Sequence, residues 1–216
     1  WDPRGWINYS GDIHQTADEY ETSRNPPTVS YDFILPSAGN YLLDQGSGND
    51  CGPTALAMAL NYLAGDPDRY SMEFLSAWLT LTNQRLNYNL ADLVPTWGGD
   101  TTGATFPHNM WMAANEFFFM DGGISGYATY NNNNTVDDII TALVETGNPV
   151  TVLLDLESSL HWVNVVGYNA DEIIYQDPGN PDILRSEKSK IFNGWFTDPI
   201  PFDNGPYRGF MITYKD

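Results

Sequence analysis

The stretch Gln45–Met58, QGSGNDCGPTALAM, decides the fold. A glycine-containing polar loop runs directly into an apolar, alanine-rich segment, a pattern typical of a loop that meets the start of a helix. Pro53 fits the first turn of that helix, where backbone N–H groups have no intrahelical acceptor. Cys51, the only cysteine of the chain, is therefore predicted at the positive end of a helix dipole, a position that favours the thiolate.

The helix that starts at Cys51 has an apolar stripe and a defined end. Gly65 ends the helix, and Asp66-Pro67 prevents its continuation. Four apolar residues occupy the i, i+3, i+4 and i+7 positions of one face: Leu56, Ala59, Leu60 and Leu63. The same pattern also allows a purely structural role for Cys51, as a small buried residue in the core.

Charge and cysteine content exclude several classes of protein. The chain has 216 residues, enough for one large domain or two small ones, and a formal net charge of −19. A protein this acidic is a poor partner for nucleic acid or for an anionic membrane surface. A single cysteine excludes an intramolecular disulfide and a cysteine-cluster metal site. We expect no metal and no other cofactor.

Hydropathy and composition bear on where the protein acts. No apolar run is long enough to span a membrane, so we expect no membrane-spanning segment. The chain has 7 tryptophans and 13 tyrosines, with many asparagines and few lysines. This composition favours a secreted or cell-surface protein. The oligomeric state is left open.

Secondary-structure patterns place most helices before most strands. Beyond the Cys51 helix, helices are predicted at residues 71–81, 107–120 and 135–147. Strands are predicted at residues 28–35, 149–154, 161–168, 172–177 and 207–214, the first of them at a sheet edge. This order predicts an α+β fold with an antiparallel sheet.

The remaining stretches give the domain organisation. Residues 1–27 are polar and irregular and end at two prolines, so we interpret them as an N-terminal arm. Residues 28–216 contain no repeat and no clear boundary, which predicts one domain. Within this domain, residues 82–106 are predicted to form a long loop, and a loop of that length often lines a functional cleft.

The three histidines, His14, His108 and His161, are candidates for the base that a thiol nucleophile needs. Two predicted strands are joined by a tight turn at Asn169, and a register centred there places His161 directly opposite Asp177. A carboxylate in that position can fix the imidazole tautomer and stabilise the imidazolium. An ordinary cross-strand polar pair is the alternative. The sequence pattern predicts no comparable pairing for His14 or His108, and we interpret both as structural.

Four motifs combine into a family resemblance. They are Gln45, Asp50-Cys51-Gly52-Pro53-Thr54 at the helix start, His161-Trp162-Val163 on a strand, and Asp177-Pro178 after a hairpin. In this combination the chain resembles the papain-like cysteine peptidases, and most closely the bacteriocin-processing (double-glycine leader) peptidases. The resemblance covers roughly residues 28–178. Residues 1–27 and 179–216 match no part of the family that we can identify.

The resemblance implies a fold and a reaction. The fold is a papain-like α+β domain, in which the helix bearing the cysteine packs on an antiparallel sheet bearing the histidine and the acid. Cys51 is the nucleophile, His161 the base and Asp177 the residue that orients it. Gln45, six residues before the nucleophile, helps to form the oxyanion hole. The implied reaction is hydrolysis of a peptide or amide bond, with a peptide or protein as substrate.

Other functions use the same residues or the same fold. A cell-wall amidase or an acyl transferase shares the acyl-enzyme step with a peptidase. A non-catalytic binding module could use the aromatic and asparagine-rich surface to hold a glycan or a protein. The presence of both a nucleophile and a base favours chemistry over binding alone. A calcium-dependent adhesive domain is the weakest alternative, because the chain has no Asp-x-Asp-x-Asp-Gly loop.

Overall fold

The backbone forms an antiparallel sheet with helices packed on both of its faces. The computed structural model describes residues 6–7, 13–14, 33–85, 105–156, 159–198 and 208–215. A short 3₁₀ helix at Ala38–Tyr41 precedes the α-helices. The α-helices are α1 (Cys51–Ala64), α2 (Met72–Arg85), α3 (Pro107–Met120), α4 (Val136–Thr146) and α5 (Ser189–Thr197). The predicted α+β class is confirmed.

The sheet contains nine strands within the described ranges. They are β1 (Trp6–Ile7), β2 (Ile13–His14), β3 (Phe33–Ile34), β4 (Tyr127–Asn131), β5 (Val150–Asp155), β6 (Leu160–Tyr168), β7 (Glu172–Asp177), β8 (Asn180–Lys188) and β9 (Met211–Lys215). Their order is β2-β1-β8-β7-β6-β5-β9-β4, and β3 pairs with the end of β6. Strand β6, which carries His161, therefore lies inside the sheet between β5 and β7.

The N-terminal residues extend one side of this sheet. Strand β1 pairs with β8 at Leu184 and Arg185, and β2 pairs with β1. The interpretation of residues 1–27 as an arm separate from the domain stays a prediction. Two short pieces of that segment, however, are strands of the same sheet as the rest of the chain.

Helix α1 is buried because apolar groups surround it on several sides. Residues 52–61 are all buried, and the core around them is formed with α2, α3 and one face of the sheet. Each fully buried leucine in this core contributes roughly 1.5–3 kcal/mol relative to an exposed position. A second core lies between the sheet and helices α4 and α5. Gly65 has φ 66°, the left-handed conformation that ends α1 as predicted.

A buried polar network fastens α1 to the sheet. Asn164 of β6 donates from its side-chain amide to the Ala55 carbonyl of α1 at 2.8 Å and to Gln176 Oε1 of β7 at 3.1 Å. Its carbonyl oxygen accepts the Thr151 hydroxyl of β5 at 2.6 Å. All three polar side chains are fully buried, so each unmade bond would carry a desolvation penalty. The network therefore fixes α1 against three strands.

We predict that Asn164→Ala lowers the free energy of unfolding by more than about 2 kcal/mol, because buried groups of Gln176 and Thr151 lose their partner. Asn148→Ala is the matched control. Asn148 is half-buried and donates from its side chain to the Tyr214 carbonyl at 3.1 Å, so its loss should cost about 1 kcal/mol or less. Urea denaturation measures both variants. If both variants lost the same free energy of unfolding, the buried network would contribute no more than an ordinary hydrogen bond.

Most of the predicted helices and strands are confirmed. The helix predicted at residues 107–120 is α3, with the same first and last residues. The helix predicted at 135–147 is α4, and it begins with a capping box formed by Thr135 and Asp138. The strands predicted at 149–154, 161–168 and 172–177 are β5, β6 and β7, with small changes at their ends.

Several boundaries differ from the prediction. The helix predicted at residues 71–81 continues to Arg85, so the start of the predicted 82–106 loop is helical, while residues 86–104 lie outside the described residues. Residues 28–32 and 207 also lie outside them, and the strands predicted there are described only as β3 and β9. The sequence patterns do not predict β4, β8 or α5 at all.

Candidate active site

Cys51 is the first residue of α1, as predicted, and it is partly exposed. The carbonyl of Asp50, the residue before it, accepts the Thr54 N–H at 3.0 Å and the Thr54 hydroxyl at 2.7 Å. Ser76 of α2 donates to the Asp50 carboxylate at 2.9 Å. These bonds hold the first turn of α1 in place. They fix the sulfur at a helix N-terminus, where the macrodipole favours an anion.

Gly52 allows the start of α1 to approach the strand that carries His161. A Cβ atom at this position would lie 2.7 Å from the Thr105 side chain and 3.2 Å from Trp162. The Trp162 indole N–H donates to the Thr105 carbonyl at 3.0 Å. Because Trp162 follows His161 in β6, this close packing brings the helix start and the histidine together.

His161 and Asp177 are hydrogen-bonded, with 2.7 Å between Nε2 and Oδ1. The register that we predicted for them is nevertheless wrong. Asn164 of β6 pairs with Gln176 of β7, and continuing that register places Val163, not His161, opposite Asp177. The two side chains therefore meet diagonally across the ladder, a distance that long side chains can span.

The Asp177 carboxylate has three donors around it. Besides His161, Oδ1 accepts the Gly179 backbone N–H at 2.9 Å, and Oδ2 lies 3.5 Å from Arg185 Nη1. The side chains of His161, Asp177 and Arg185 are only 16%, 13% and 7% exposed. Attraction between charges is stronger in such a shielded environment than at the surface.

Opposing effects act on the charge state of His161. Burial of the ring lowers the pKa of His161, but hydrogen bonds with Asp177 and Cys51, together with their charges, raise it from 6.5 to about 10. The ring is therefore an imidazolium near neutral pH. Since Asp177 occupies Nε2, Nδ1 is the ring nitrogen left to face the Cys51 sulfur. A positive charge beside a thiol is the general arrangement that activates a cysteine nucleophile.

Gln45 lies in the loop before α1, and this loop contacts the turn that follows Asp177. The Gln45 backbone N–H donates to the Pro178 carbonyl at 3.0 Å. Its side-chain Nε2 donates to the Gly48 carbonyl at 3.3 Å. A side-chain amide has two N–H donors, so the contact with Gly48 leaves Gln45 one donor for a further acceptor.

The other two histidines lie elsewhere. His108 Nε2 is 3.2 Å from the Tyr130 hydroxyl, and the backbone of His14 lies in β2 at the edge of the sheet. Within the described residues, no group of three or more His, Cys, Asp and Glu side chains could hold a metal ion. In the same part of the chain, no helix is long and apolar enough to cross a membrane.

Solved structures share this fold at low sequence identity. A protein described as a C39-like peptidase from Bacillus anthracis has a TM-score of 0.58 and 13% identity, covering 86% of this chain and 98% of its own. The peptidase domain of Streptococcus ComA, a bifunctional ABC transporter, has a TM-score of 0.50 and 16% identity, covering 82% and 98%. A cysteine protease from Carica candamarcensis, solved with E-64, has a TM-score of 0.51 and 11% identity, covering 87% and 99%.

The fold is thus that of the papain-like cysteine proteases. The model of the Peptidase_C39 like family matches residues 39–195, which include the four predicted site residues. The chain therefore belongs to the Peptidase_C39 like family and is a cysteine peptidase. A search of curated proteins found no match.

Proposed function

We propose that the chain hydrolyses peptide bonds with Cys51 as nucleophile, His161 as acid and base, and Asp177 as the residue that orients His161. One observation carries most of the support. The imidazole of His161 hydrogen-bonds Asp177 through Nε2, and Cys51, at a helix start, is close enough to raise the pKa of the same ring. Covalent catalysis requires a nucleophile next to a base, with a third group that orients the base.

In the proposed reaction, the Cys51 thiolate attacks the carbonyl carbon of the substrate. A C–S bond forms, and the carbonyl electron pair moves onto oxygen. The second N–H of Gln45 and a backbone N–H near Cys51 stabilise this oxyanion. As the oxyanion collapses, the C–N bond breaks and His161 gives its proton to the leaving amine. The product at this stage is an acyl-enzyme.

Water then completes the cycle. Neutral His161 takes a proton from a water molecule as its oxygen attacks the acyl carbon, and the C–S bond breaks. The products are a carboxylic acid, the Cys51 thiolate and protonated His161, so the starting state is restored. A peptide or protein is the substrate that fits this chemistry and the family of the chain.

We predict that iodoacetamide labels Cys51 at pH 6 at least about tenfold faster than it labels free cysteine, because the imidazolium favours the thiolate. Mass spectrometry reads a single site, since the chain has 1 cysteine. His161→Ala should slow the labelling at this pH. His108→Ala is the matched control and should label like the wild type. A wild-type rate equal to that of a model thiol would identify Cys51 as a core residue.

The same labelling tests the function itself. The purified protein is incubated with a library of peptides from a digested proteome, and new termini are identified by mass spectrometry. Cleavage should fall in proportion to the labelled fraction of Cys51 and should persist in EDTA. Cleavage that survives complete labelling would remove Cys51 from the mechanism. Acyl transfer to added amines that is lost when Cys51 is labelled, with no hydrolysis, would indicate a transferase.

A further inference from the structure

A buried arginine lies behind the carboxylate that orients His161. Arg185 is on β8, its side chain is 7% exposed, and its Nη1 lies 3.5 Å from Asp177 Oδ2. The other carboxylate oxygen, Oδ1, contacts His161 Nε2 at 2.7 Å. Asp177 therefore stands between two cations, one on each oxygen. A guanidinium does not lose its proton in a protein, so one of these two charges is permanent.

The surroundings of Arg185 are consistent with a retained charge. Burial lowers the pKa of Arg185, and the negative charge of Glu187, two residues further along β8, raises it. Glu187 is itself buried. Burying an arginine this deeply is costly unless its charge is paired. Here the carboxylates of Asp177 and Glu187 are both close to it.

The ionisable groups that act on His161 and Arg185 come from three elements of the described chain. They are Cys51 on α1, Asp177 on β7 and Glu187 on β8. Cys51 and Asp177 favour a protonated His161, and Glu187 favours a charged Arg185. Besides the His161 imidazolium, Arg185 is the cation that the structure places against Asp177.

We propose that Arg185 is a positioning residue of this site, whose guanidinium holds the second oxygen of Asp177 and limits how tightly His161 keeps its proton. The proposal rests on the proposed function, because it concerns the same imidazole. Gly179 already fixes the direction of Oδ1. The contribution of Arg185 is therefore chiefly electrostatic. The Arg185 guanidinium partly neutralises the negative charge of Asp177, which weakens the attraction between Asp177 and the imidazolium. It also repels the imidazolium directly.

This effect matters most after the acyl-enzyme has formed. The Cys51 thiolate is consumed in the C–S bond, so the proton affinity of His161 is then determined by burial, Asp177 and Arg185. Deacylation needs a neutral imidazole to take a proton from water. If His161 were paired with Asp177 alone, it would stay protonated at neutral pH and deacylation would slow. Arg185 offsets the attraction that makes Asp177 a good orienting group.

The test measures the titration of His161 directly. The Cys51→Ala protein removes the thiolate, as acylation does, and NMR of its imidazole nitrogens follows 3 histidines. Adding Arg185→Gln should raise the His161 midpoint by about one pH unit, a tenfold gain in proton affinity. Arg185→Lys should return the His161 midpoint most of the way to its value with Arg185. With Cys51 present, Arg185→Gln should cleave peptides about tenfold more slowly at pH 7 and recover at higher pH.

Arg69→Gln is the matched control, because it also breaks an Arg–Asp pair, here with Asp121, and changes the net charge equally. Helix α1 has 14 residues and is therefore about 20 Å long, and Arg69 follows its end opposite to Cys51. It should leave the His161 midpoint unchanged. An equal midpoint in folded Arg185→Gln and Arg69→Gln proteins, or a lower one in Arg185→Gln, would overturn the proposal.

A second measurement serves if Arg185→Gln does not fold. In the Cys51→Ala protein, the Arg185 guanidinium resonances should shift with the same midpoint as His161, because Asp177 couples the two cations. Guanidinium signals that do not respond to this titration would also overturn the proposal. Neither titration needs a substrate. Their failure would leave the proposed function standing, and a failure of the labelling and cleavage tests would leave the titrations valid.

Discussion

Asp177→Ala is expected to lower peptide turnover by about 10²–10⁴, the range that a positioned acid–base group contributes. Without the carboxylate, Nε2 of His161 loses its acceptor at 2.7 Å and the ring is no longer oriented toward Cys51. The buried Arg185 also loses a counter-charge. Turnover of a library-derived peptide, measured as product per minute with folded protein confirmed by circular dichroism, gives the effect.

The peptide turnover of Asp177→Asn should lie between that of the wild type and that of the alanine variant. A carboxylate offers an acceptor on each oxygen, and here the donors are His161 and Gly179 on one oxygen and Arg185 on the other. An asparagine can satisfy only one side, since its NH₂ group would face a donor on the other. We therefore expect a loss of about tenfold or more, although papain-like proteases elsewhere use a Cys-His-Asn arrangement.

Asp121→Asn is the matched control for both substitutions. The Asp121 carboxylate also accepts a glycine backbone N–H, from Gly123 at 2.9 Å, and also pairs with an arginine, Arg69. It lies just beyond the C-terminal end of α3, away from the start of α1. Its replacement should leave turnover within about twofold of wild type, because it removes similar bonds without touching His161. Unchanged turnover in Asp177→Ala would show that another group orients the histidine.

The sequence predicted where the candidate site residues lie on helices and strands better than it predicted the strand pairing that brings them together. The positions of Cys51, His161 and Asp177 relative to helix and strand ends followed from local patterns, which are short-range. The register between β6 and β7 did not, because the hairpin is centred between Ala170 and Asp171 and not on Asn169, so that Tyr168 pairs with Ile173. The pairing then shifts by one residue between Val165 and Gly167. A Cβ atom at Gly167 would lie 2.8 Å from the backbone of β3, a long-range contact that no local pattern reports.

Strand β8 shows a second limit of local patterns. Its buried part contains Arg185, Ser186 and Glu187, which do not resemble the apolar alternation expected of a strand inside a sheet. The charged residues are tolerated there because opposite charges lie close by, including Asp177 on the neighbouring strand. In the sequence, Arg185 follows the apolar pair Ile183-Leu184 and precedes Ser186-Glu187, which is not a pattern that predicts a buried strand.

Gln45→Ala is expected to lower turnover by about 10²–10³, the cost of removing one oxyanion donor. The donor matters most when the carbonyl oxygen becomes negative, so apparent substrate affinity should change little. A purely structural role predicts a different result. The side-chain bond to Gly48 is long, at 3.3 Å, and its loss should cost only about 0.5–1.5 kcal/mol of stability with nearly normal turnover.

The geometry makes these two roles separable by experiment. The backbone N–H of Gln45, which joins its loop to Pro178 at 3.0 Å, is retained in the alanine and glutamate variants, so the loop should keep its place. Gln45→Glu retains the size of the side chain but replaces both N–H donors with a negative charge, and it should lose at least as much turnover as the alanine variant. Cys51 should still react rapidly with iodoacetamide in both variants, because alkylation develops no oxyanion. Slow labelling would instead mean that the substitutions had displaced the start of α1. Turnover of Gln45→Ala within about threefold of wild type, far below the range for an oxyanion donor, would remove Gln45 from the mechanism.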